Sequence, residues 1–275
     1  MIKYTKSDIS SMSYTDFISF IKEENRPSGG KKTIREILIN SFINKDSNVL
    51  EIGCTNGFTS LEINKLIKCN VIGIDINMNS IDNANERIIK NKLDPNKIKF
   101  EHGNVENMKY KDETFDLIVC GNALSFVENQ NEAISEIIRV LKPNGMIALV
   151  PIWYTQTPDF NIVDNVNKIL GFKIKCTRED DWLDFSRYNL ELYLKKDYKF
   201  DNPNKKDINA YVDKMISSKE HLKSYDEEVL QHIKKRWESI ISIFNDNLKM
   251  TNYSIILLRK STEKEEEEIF MTKEI

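Results

Sequence analysis

The stretch that decides the fold is Val49-Leu-Glu-Ile-Gly-Cys-Thr-Asn-Gly-Phe58, an apolar strand pattern that runs into a glycine turn. Turns of this kind usually hold a nucleotide. A dinucleotide fingerprint needs glycine at 53, 55 and 58, but this chain has Gly53, Thr55 and Phe58 there. Glu51 would also lie beside a bound pyrophosphate, and two neighbouring anions repel each other. The pattern therefore predicts a nucleoside-like ligand that has a cationic group and no phosphate.

Strand and helix patterns alternate on both sides of this turn. Apolar strand patterns occupy 49–53, 71–76, 97–101, 115–120 and 146–152, and amphipathic helix patterns occupy 58–68, 80–90 and 132–141. Strands and helices that alternate at these lengths form right-handed βαβ units around a parallel sheet. The sequence therefore predicts the α/β fold class.

Both ends of the chain add further helix patterns to this core. Helices are predicted at 14–24 and 34–42 before it, and at 162–170, 177–188, 207–218 and 225–246 after it. Strands are predicted at 190–195 and 253–258, and the acidic run at 265–268 predicts a solvated tail.

The composition fits one large domain, or a domain with a cap, since 40% of the 275 residues are hydrophobic. With 40 basic and 43 acidic residues the formal charge is -3, so a nucleic-acid partner is not expected, although a local basic patch stays compatible with this total. Cys54, Cys69, Cys120 and Cys176 show no zinc-binding spacing, and we expect reduced thiols, no metal and a cytoplasmic protein. No apolar run approaches the length of a membrane span, so no membrane contact is expected.

Several motifs, in order along the chain, resemble those of one enzyme superfamily. Glu51-Ile-Gly-Cys-Thr-Asn-Gly57 resembles (D/E)-x-G-x-G-x-G, the first motif of class I S-adenosylmethionine-dependent methyltransferases, in all but the middle glycine. The stretch 115–126 resembles their fourth motif, and Arg139-Val-Leu-Lys-Pro-Asn-Gly145 resembles the R-x-L-K-P-G-G turn of the small-molecule, type 11-like members. Ordered matches over about 100 residues are more specific than any single motif.

The resemblance implies a Rossmann-like, doubly wound, mostly parallel seven-stranded sheet with an antiparallel last strand and helical cap insertions. The expected regions are an N-terminal helical cap at 1–40, a cofactor-binding Rossmann-like core at 41–154, a C-terminal sheet half with cap insertions at 155–250, the last core strand at 251–261 and an acidic tail at 262–275.

The resemblance also implies the cofactor, S-adenosylmethionine, with S-adenosylhomocysteine as its product. Asp75 stands where the family binds both ribose hydroxyls, and Ile76 and Met78 stand where an apolar side chain packs on adenine. Asn104 replaces the usual Asp that accepts from the adenine amino group. The expected cofactor contacts are Glu51, Gly53, Cys54, Thr55, Gly57, Asp75, Ile76, Met78, Asn104, Val105, Gly121 and Asn122. Turn chemistry explains Asn104 about equally well, and Asp75 has the alternative of a solvated turn residue.

Methyl transfer from a sulfonium is an in-line displacement, so the enzyme mainly aligns the acceptor and excludes water. A general base is needed only when the acceptor must lose a proton, and no catalytic triad is found. His102, His221 and His232 are candidates for a base, although a surface histidine is the simpler interpretation of each. Cys120 ends an apolar strand and is interpreted as a structural thiol.

The acceptor is expected to be a small molecule. The fourth motif is not the (D/N)-P-P-(Y/F) clamp used on the exocyclic amines of nucleic-acid bases. Trp153 and Tyr154 directly follow the fifth strand, at the sheet edge where open α/β sheets bind ligands. The expected pocket residues are Tyr14, Arg26, Phe126, Trp153 and Tyr154.

The sequence therefore predicts a methyltransferase that acts on oxygen, nitrogen or carbon of a small molecule. Two alternatives stay open: methylation of RNA or a protein, and a partner subunit that binds S-adenosylmethionine without turnover. The identity of the acceptor and the oligomeric state are not predicted.

Overall fold

The computed structural model describes residues 3–183, Tyr188 and 190–261. The expected acidic tail lies outside the described residues, as do 184–187 of the helix predicted at 177–188. The helices are α1 (Lys6–Ser11), α2 (Tyr14–Phe20), α3 (Lys31–Asn40), α4 (Phe58–Ile67), α5 (Met78–Lys90), α6 (Gln130–Val140), α7 (Phe160–Leu170), α8 (Lys205–Ser217) and α9 (Glu227–Leu248). The strands are β1 (Asn48–Ile52), β2 (Asn70–Asp75), β3 (Ile98–His102), β4 (Phe115–Cys120), β5 (Leu141–Leu149), β6 (Ile152–Tyr154), β7 (Leu190–Lys199) and β8 (Thr251–Lys260).

These strands form one mixed sheet. Its first five strands are parallel, in the order β3-β2-β1-β4-β5. Strand β8 is antiparallel to β5, β6 and β7. Because β6 pairs with β8 just beyond β5, these two strands share one side of β8 and β7 takes the other. The strands of the described chain therefore occupy seven positions, which confirms the predicted doubly wound, mostly parallel sheet with an antiparallel last strand.

Helices cover both faces of the sheet. Successive residues of β1 point to opposite faces, so Val49 packs with α3, α4 and α5 in one hydrophobic cluster and Leu50 packs with α6 in another. Strands buried on both faces are expected to be apolar throughout, which explains the continuous apolar pattern of the core strands. The order of the sheet reverses between β1 and β4, and such a switch point is where an α/β sheet binds ligands.

The helical cap has its own hydrophobic cluster, formed by α1, α2, α8 and α9. Its residues come from both ends of the chain: Phe17 of α2, for example, lies 6.2 Å from Trp237 of α9, measured between ring centroids. No helix within the described ranges is long and apolar enough to cross a membrane.

The helix predicted at 14–24 ends early. Helix α2 stops at Phe20, and Lys22 and Asn25 then adopt φ values of 51° and 47°. A right-handed helix cannot continue through such residues. Residues 22–26, called here the covering segment, therefore leave the helix and contact the turn between β1 and α4.

Candidate functional site

The turn between β1 and α4 is held against the end of β2. The backbone N–H groups of Gly53 and Cys54 both donate to the carbonyl of Ile74, at 2.9 and 3.0 Å. Gly57 has a φ of 78°, and a Cβ there would lie 2.5 Å from Cζ of Phe100. Because a side chain would meet both the backbone strain and this overlap, position 57 requires glycine.

Thr55 takes the place of the middle glycine and keeps a glycine-like conformation. Its φ is 43°, in the left-handed region that a β-branched residue rarely enters. Two hydrogen bonds support it: its N–H donates to Oδ2 of Asp75 at 2.9 Å, and its Oγ1 accepts from Nδ2 of Asn25 at 3.0 Å. The threonine therefore keeps a left-handed turn at a cost in backbone strain.

Asp75 ends β2 and faces the same turn. Its Oδ2 accepts from Thr55 N–H and its Oδ1 accepts from Asn77 N–H, both at 2.9 Å. A carboxylate offers about four lone-pair sites, so Asp75 can still accept two further hydrogen bonds. That spare capacity matches the two hydroxyls of a ribose.

Glu51 lies inside the turn rather than reaching out of it. The carboxylate is buried, and its Oε2 accepts from both the N–H and the Oγ of Ser60 in the first turn of α4, at 2.8 and 2.5 Å. Burial raises the pKa of Glu51 to about 7, against the opposing effect of the Ser60 hydrogen bonds. One oxygen of this carboxylate is thus used to hold α4 in place.

The residues after β2 and β3 differ in exposure. Ile76 and Met78 are 70% and 54% exposed and follow Asp75 directly, so they present an apolar surface beside it. Val105 is buried. Asn104 accepts from Glu106 N–H at 3.0 Å and donates to Oε2 of Glu106 at 3.2 Å. These bonds are the turn chemistry that the sequence left open as the alternative for Asn104.

The loop after β4 completes this edge of the sheet. A Cβ at Gly121 would meet no described atom within 4 Å, so there is open space beside it. Oδ1 of Asn122 accepts from Oγ of Ser125 at 2.9 Å and from Ile152 N–H at 3.2 Å, which ties the loop to β6. The open side of Gly121, the turn and Asp75 all lie at the carboxyl ends of β4, β1 and β2.

Comparison with known proteins identifies the family. A family model described as a methyltransferase domain matches residues 43–242. The chain belongs to this family. The cofactor of these enzymes is S-adenosylmethionine.

Individual relatives agree with this assignment. The phosphoethanolamine N-methyltransferase of Plasmodium falciparum is 31% identical over 163 residues, which cover 57% of this chain and three fifths (60%) of that protein. The MccD protein has a similar fold, with a TM-score of 0.72 at 21% identity over 86% of this chain and 100% of that one. Phosphoethanolamine N-methyltransferase 2 of Haemonchus contortus, solved with phosphomonomethylethanolamine and S-adenosylhomocysteine, has a TM-score of 0.67 at 15% identity over 92% of this chain and 61% of that one.

The structure corrects the prediction that Trp153 and Tyr154 form walls of the methyltransferase pocket. They are only 8% and 4% exposed, because β6 pairs with β8 inside the sheet. Their polar atoms are also paired there: Trp153 Nε1 donates to Ser254 Oγ and Tyr154 Oη donates to Asn247 Oδ1, both at 2.8 Å. We assign both side chains to the core.

The other expected pocket residues lie nearer the surface or the cap. Phe126 is 47% exposed, with Phe172 at 5.4 Å edge-on. Arg26 lies over the Phe58 ring at 5.0 Å, and its Nη2 pairs with Oε2 of Glu24 at 2.7 Å. Tyr14 packs edge-on against Phe244 at a centroid distance of 5.4 Å.

The histidines are not brought together. His102 is exposed at the end of β3, in register with Asp75 on β2. His221 lies in the cap, where Nε2 is 2.8 Å from the Phe20 carbonyl, and burial lowers its pKa. His232 is also on the cap, with Nε2 2.9 Å from Ser10 Oγ. The geometry of His221 and His232 therefore indicates roles in cap packing.

The cysteines near the turn are buried thiols. Burial raises the pKa of Cys54 well above its ordinary value and that of Cys120 to about 12. Neither is a ready nucleophile, because the thiolate is the reactive form. The side chain of Cys54, an expected cofactor contact, is packed in the core, which leaves the backbone of this residue for that contact. Among the described residues, no group of three or more His, Cys, Asp or Glu could hold a metal ion.

Of the covering segment, the sequence predicted only Arg26 as a pocket residue, and the contacts of the segment with the turn were missed. Nδ2 of Asn56 donates to the Glu23 carbonyl at 2.5 Å, and Nη1 of Arg87 donates to the Asn56 carbonyl at 2.6 Å. Together with the bond between Asn25 and Thr55, these contacts place the segment directly on the glycine turn. The only sequence signal was the break after the first helix, which says where a helix stops and not what the chain then touches.

Proposed function

We propose that this chain is an S-adenosylmethionine-dependent methyltransferase that transfers a methyl group to oxygen, nitrogen or carbon of a small-molecule acceptor. The observation that carries the proposal is the Asp75 carboxylate, which the Thr55 and Asn77 N–H groups orient beside the turn while two acceptor sites stay available. The exposed Ile76 and Met78 next to it form an apolar surface of the kind that covers an adenine ring.

The residues present fit this cofactor. Asp75 would accept from both ribose hydroxyls, Ile76 and Met78 would cover the base, and the open space at Gly121 would leave room beside it. Glu51 supports the turn through its hydrogen bonds with Ser60 at the start of α4. When bound, the cofactor supplies a methyl group already activated by its sulfonium.

The chain itself then has three tasks: to bind, to align the acceptor in line with the methyl group, and to exclude water. The cap and the covering segment are suited to the third task, because they pack directly on the turn. The positions of His221 and His232 do not favour a histidine base. In-line transfer to a nucleophile with a free lone pair does not need one.

A small-molecule acceptor is favoured over RNA by the pairing of surface charges. In the basic stretches 168–178 and 195–206, Lys168 pairs with Asp164, Lys195 pairs with Asp197 and Glu179, and Lys196 pairs with Glu36. A lysine paired with a carboxylate has less charge to offer a phosphate. The similarity to phosphoethanolamine N-methyltransferases also supports a small acceptor without identifying it.

Calorimetry with S-adenosylhomocysteine tests the cofactor assignment, and mass spectrometry of acceptors incubated with S-adenosylmethionine tests turnover. We expect saturable binding, and stabilisation by ~2.7 kcal/mol at about 100-fold ligand excess over Kd. Absence of binding would refute the proposal. Binding without methyl transfer to any member of a broad acceptor panel would favour the non-catalytic partner subunit instead.

A further inference from the structure

Glu23, in the covering segment, has an unusual environment for a carboxylate. It is 92% buried, with a residual exposure of only 8%. Its Oε1 accepts from the hydroxyl of Tyr211 in α8 at 3.0 Å. Its Oε2 is buried and has no hydrogen-bond partner among the described residues. Buried polar atoms are almost always paired, so an unpaired carboxylate oxygen calls for a ligand or another explanation.

A structural role does not explain the free oxygen. The hydrogen bond from Tyr211 ties the covering segment to α8, but it uses Oε1 alone, and a neutral amide oxygen would accept it equally well. The second oxygen and the negative charge are unnecessary for that purpose. Both are costly to bury without a partner.

The cations nearby are committed elsewhere. Arg26 and Arg87 both pair with Glu24, with Nη2–Oε distances of 2.7 and 3.1 Å. Lys219 donates to the Lys22 carbonyl at 2.5 Å. The charge of Glu23 acts on all three side chains, but their direct hydrogen bonds and ion pairs are to other groups. The neighbourhood is thus electrostatically arranged around Glu23 while Oε2 stays free.

The aromatic side chain of Tyr211 contacts the same carboxylate through its hydroxyl. The charge of Glu23 also adds to burial in raising the pKa of Tyr14 in α2. Tyr14 belongs to the cap cluster and packs against Phe244. A carboxylate beside aromatic rings is an arrangement that binds organic ammonium ions, through a charge-assisted hydrogen bond and cation–π attraction. The oxygen donors that a divalent metal needs are not gathered here, since no such cluster occurs in the described ranges.

We infer that Glu23 and Tyr211 form a binding site for an ammonium group between the cap and the glycine turn. The inference rests on the proposed function, because two molecules of that reaction can supply such a group: the acceptor, or the cofactor through its methionine end. The site binds the cation and so positions the molecule that carries it. We do not propose that the bound group contains the atom that receives the methyl group.

The test replaces the charge while keeping the hydrogen bond. Glu23→Gln retains an acceptor for Tyr211, and Glu86→Gln, which removes an exposed carboxylate paired with Lys22, is the matched control. Calorimetry on each protein uses S-adenosylhomocysteine and 5′-methylthioadenosine, which lacks the amino-acid end. It also uses choline and its uncharged isostere 3,3-dimethylbutan-1-ol, with and without S-adenosylhomocysteine.

We expect Glu23→Gln, but not Glu86→Gln, to lower the affinity for at least one ammonium ligand about tenfold or more. The affinity for the uncharged analogue should not change. If the variant binds S-adenosylhomocysteine more weakly and 5′-methylthioadenosine with unchanged affinity, the ammonium group belongs to the cofactor. If it binds choline more weakly and S-adenosylhomocysteine with unchanged affinity, the ammonium group belongs to the acceptor.

Ligand-free thermal unfolding gives a second readout. Glu23→Gln should unfold at the same or a higher temperature than wild type, because it removes an unpaired buried charge, whereas a structural carboxylate would make the variant less stable. The inference is overturned if Glu23→Gln leaves both ammonium affinities within about twofold of wild type. Failure of wild type to bind S-adenosylhomocysteine refutes the proposed function instead, and the choline arm still decides on the site.

Discussion

The glycine turn has a buried carboxylate on each side, and the fold uses the two differently. Glu51, on β1, gives one oxygen to two hydrogen bonds from Ser60 of α4. Glu23, in the covering segment, gives one oxygen to a single bond from Tyr211 and leaves the other unpaired. The carboxylate inside the motif is therefore engaged in holding strand and helix together, whereas the carboxylate outside the motif has capacity left for a ligand.

The difference shows that a motif residue can serve the fold of its loop as much as its ligand. Strand β1 must deliver the chain into α4 at a fixed angle, and a side-chain acceptor for the first N–H groups of a helix does this. The covering segment has no such duty, because the contacts that hold it on the turn come from its backbone carbonyl at Glu23 and from the side chain of Asn25.

The largest effect is expected at Asp75, which lies on the turn side. Asp75→Ala removes the acceptor for two backbone N–H groups, and the one that we propose for both ribose hydroxyls. At ~1.5–3 kcal/mol for each hydrogen bond to a charged group, we expect S-adenosylhomocysteine affinity to fall by about 4 kcal/mol, on the order of 1,000-fold. Calorimetry measures the change.

The matched control for Asp75 is Asp82→Ala, which removes an exposed carboxylate from α5. Its affinity should equal that of wild type. An Asp75→Ala variant that binds S-adenosylhomocysteine normally would show that ribose is held elsewhere and that Asp75 serves only the turn, as Glu51 does.

The next effect concerns Glu51 and pH. Its folded pKa of about 7 lies above the ordinary value of 4.5, so the folded protein keeps a proton that the unfolded chain loses. Stability should therefore fall as the pH rises from about 4.5 to about 7 and stay low above that, by about 3 kcal/mol in the ligand-free protein. Glu51→Gln should remove this loss, so the variant should be the more stable protein at pH 8 and the two should converge near pH 4.5.

Urea unfolding of wild type and Glu51→Gln across this pH range measures the effect. The difference between the two proteins isolates Glu51 from other groups that titrate. A difference that does not change with pH would mean that burial does not raise the pKa of Glu51, and the contrast with Glu23 would then lose its physical basis.

The core and part of the site were predictable because their signals are local. Apolar runs and the turn residues Gly53 and Gly57 fix strands and helices through neighbours in the chain. The position of Asp75 at the end of β2 follows from the same local pattern. Burial was harder to predict from the sequence. Trp153 and Tyr154 follow a core strand, but only their pairing with β8, almost 100 residues later, shows that they lie in the core.

The cap side depended on long-range contacts of this kind. The charge of Glu23 has meaning only beside Tyr211, and the left-handed Thr55 only beside Asn25 and Asp75. A single sequence contains the residue types but not these pairings. The glycine missing at 55 was visible, whereas its replacement by a strained threonine supported from the cap was not.

The smallest effect tests whether the hydrogen bond between Asn25 and Thr55 links the covering segment to the glycine turn. Asn25→Ala removes the bond to Thr55 Oγ1, which lies at the surface, and should destabilise the protein by about 0.5–1 kcal/mol. Thr55→Gly removes the same bond but relieves the left-handed strain, so its own effect should be near zero. In a double-mutant cycle by urea unfolding, Asn25→Ala should cost nothing once residue 55 is glycine, a coupling of about 0.5–1 kcal/mol. Additive effects would mean that the covering segment rests on the turn without being fastened there, and that the Asn56 contact to Glu23 alone positions the free carboxylate.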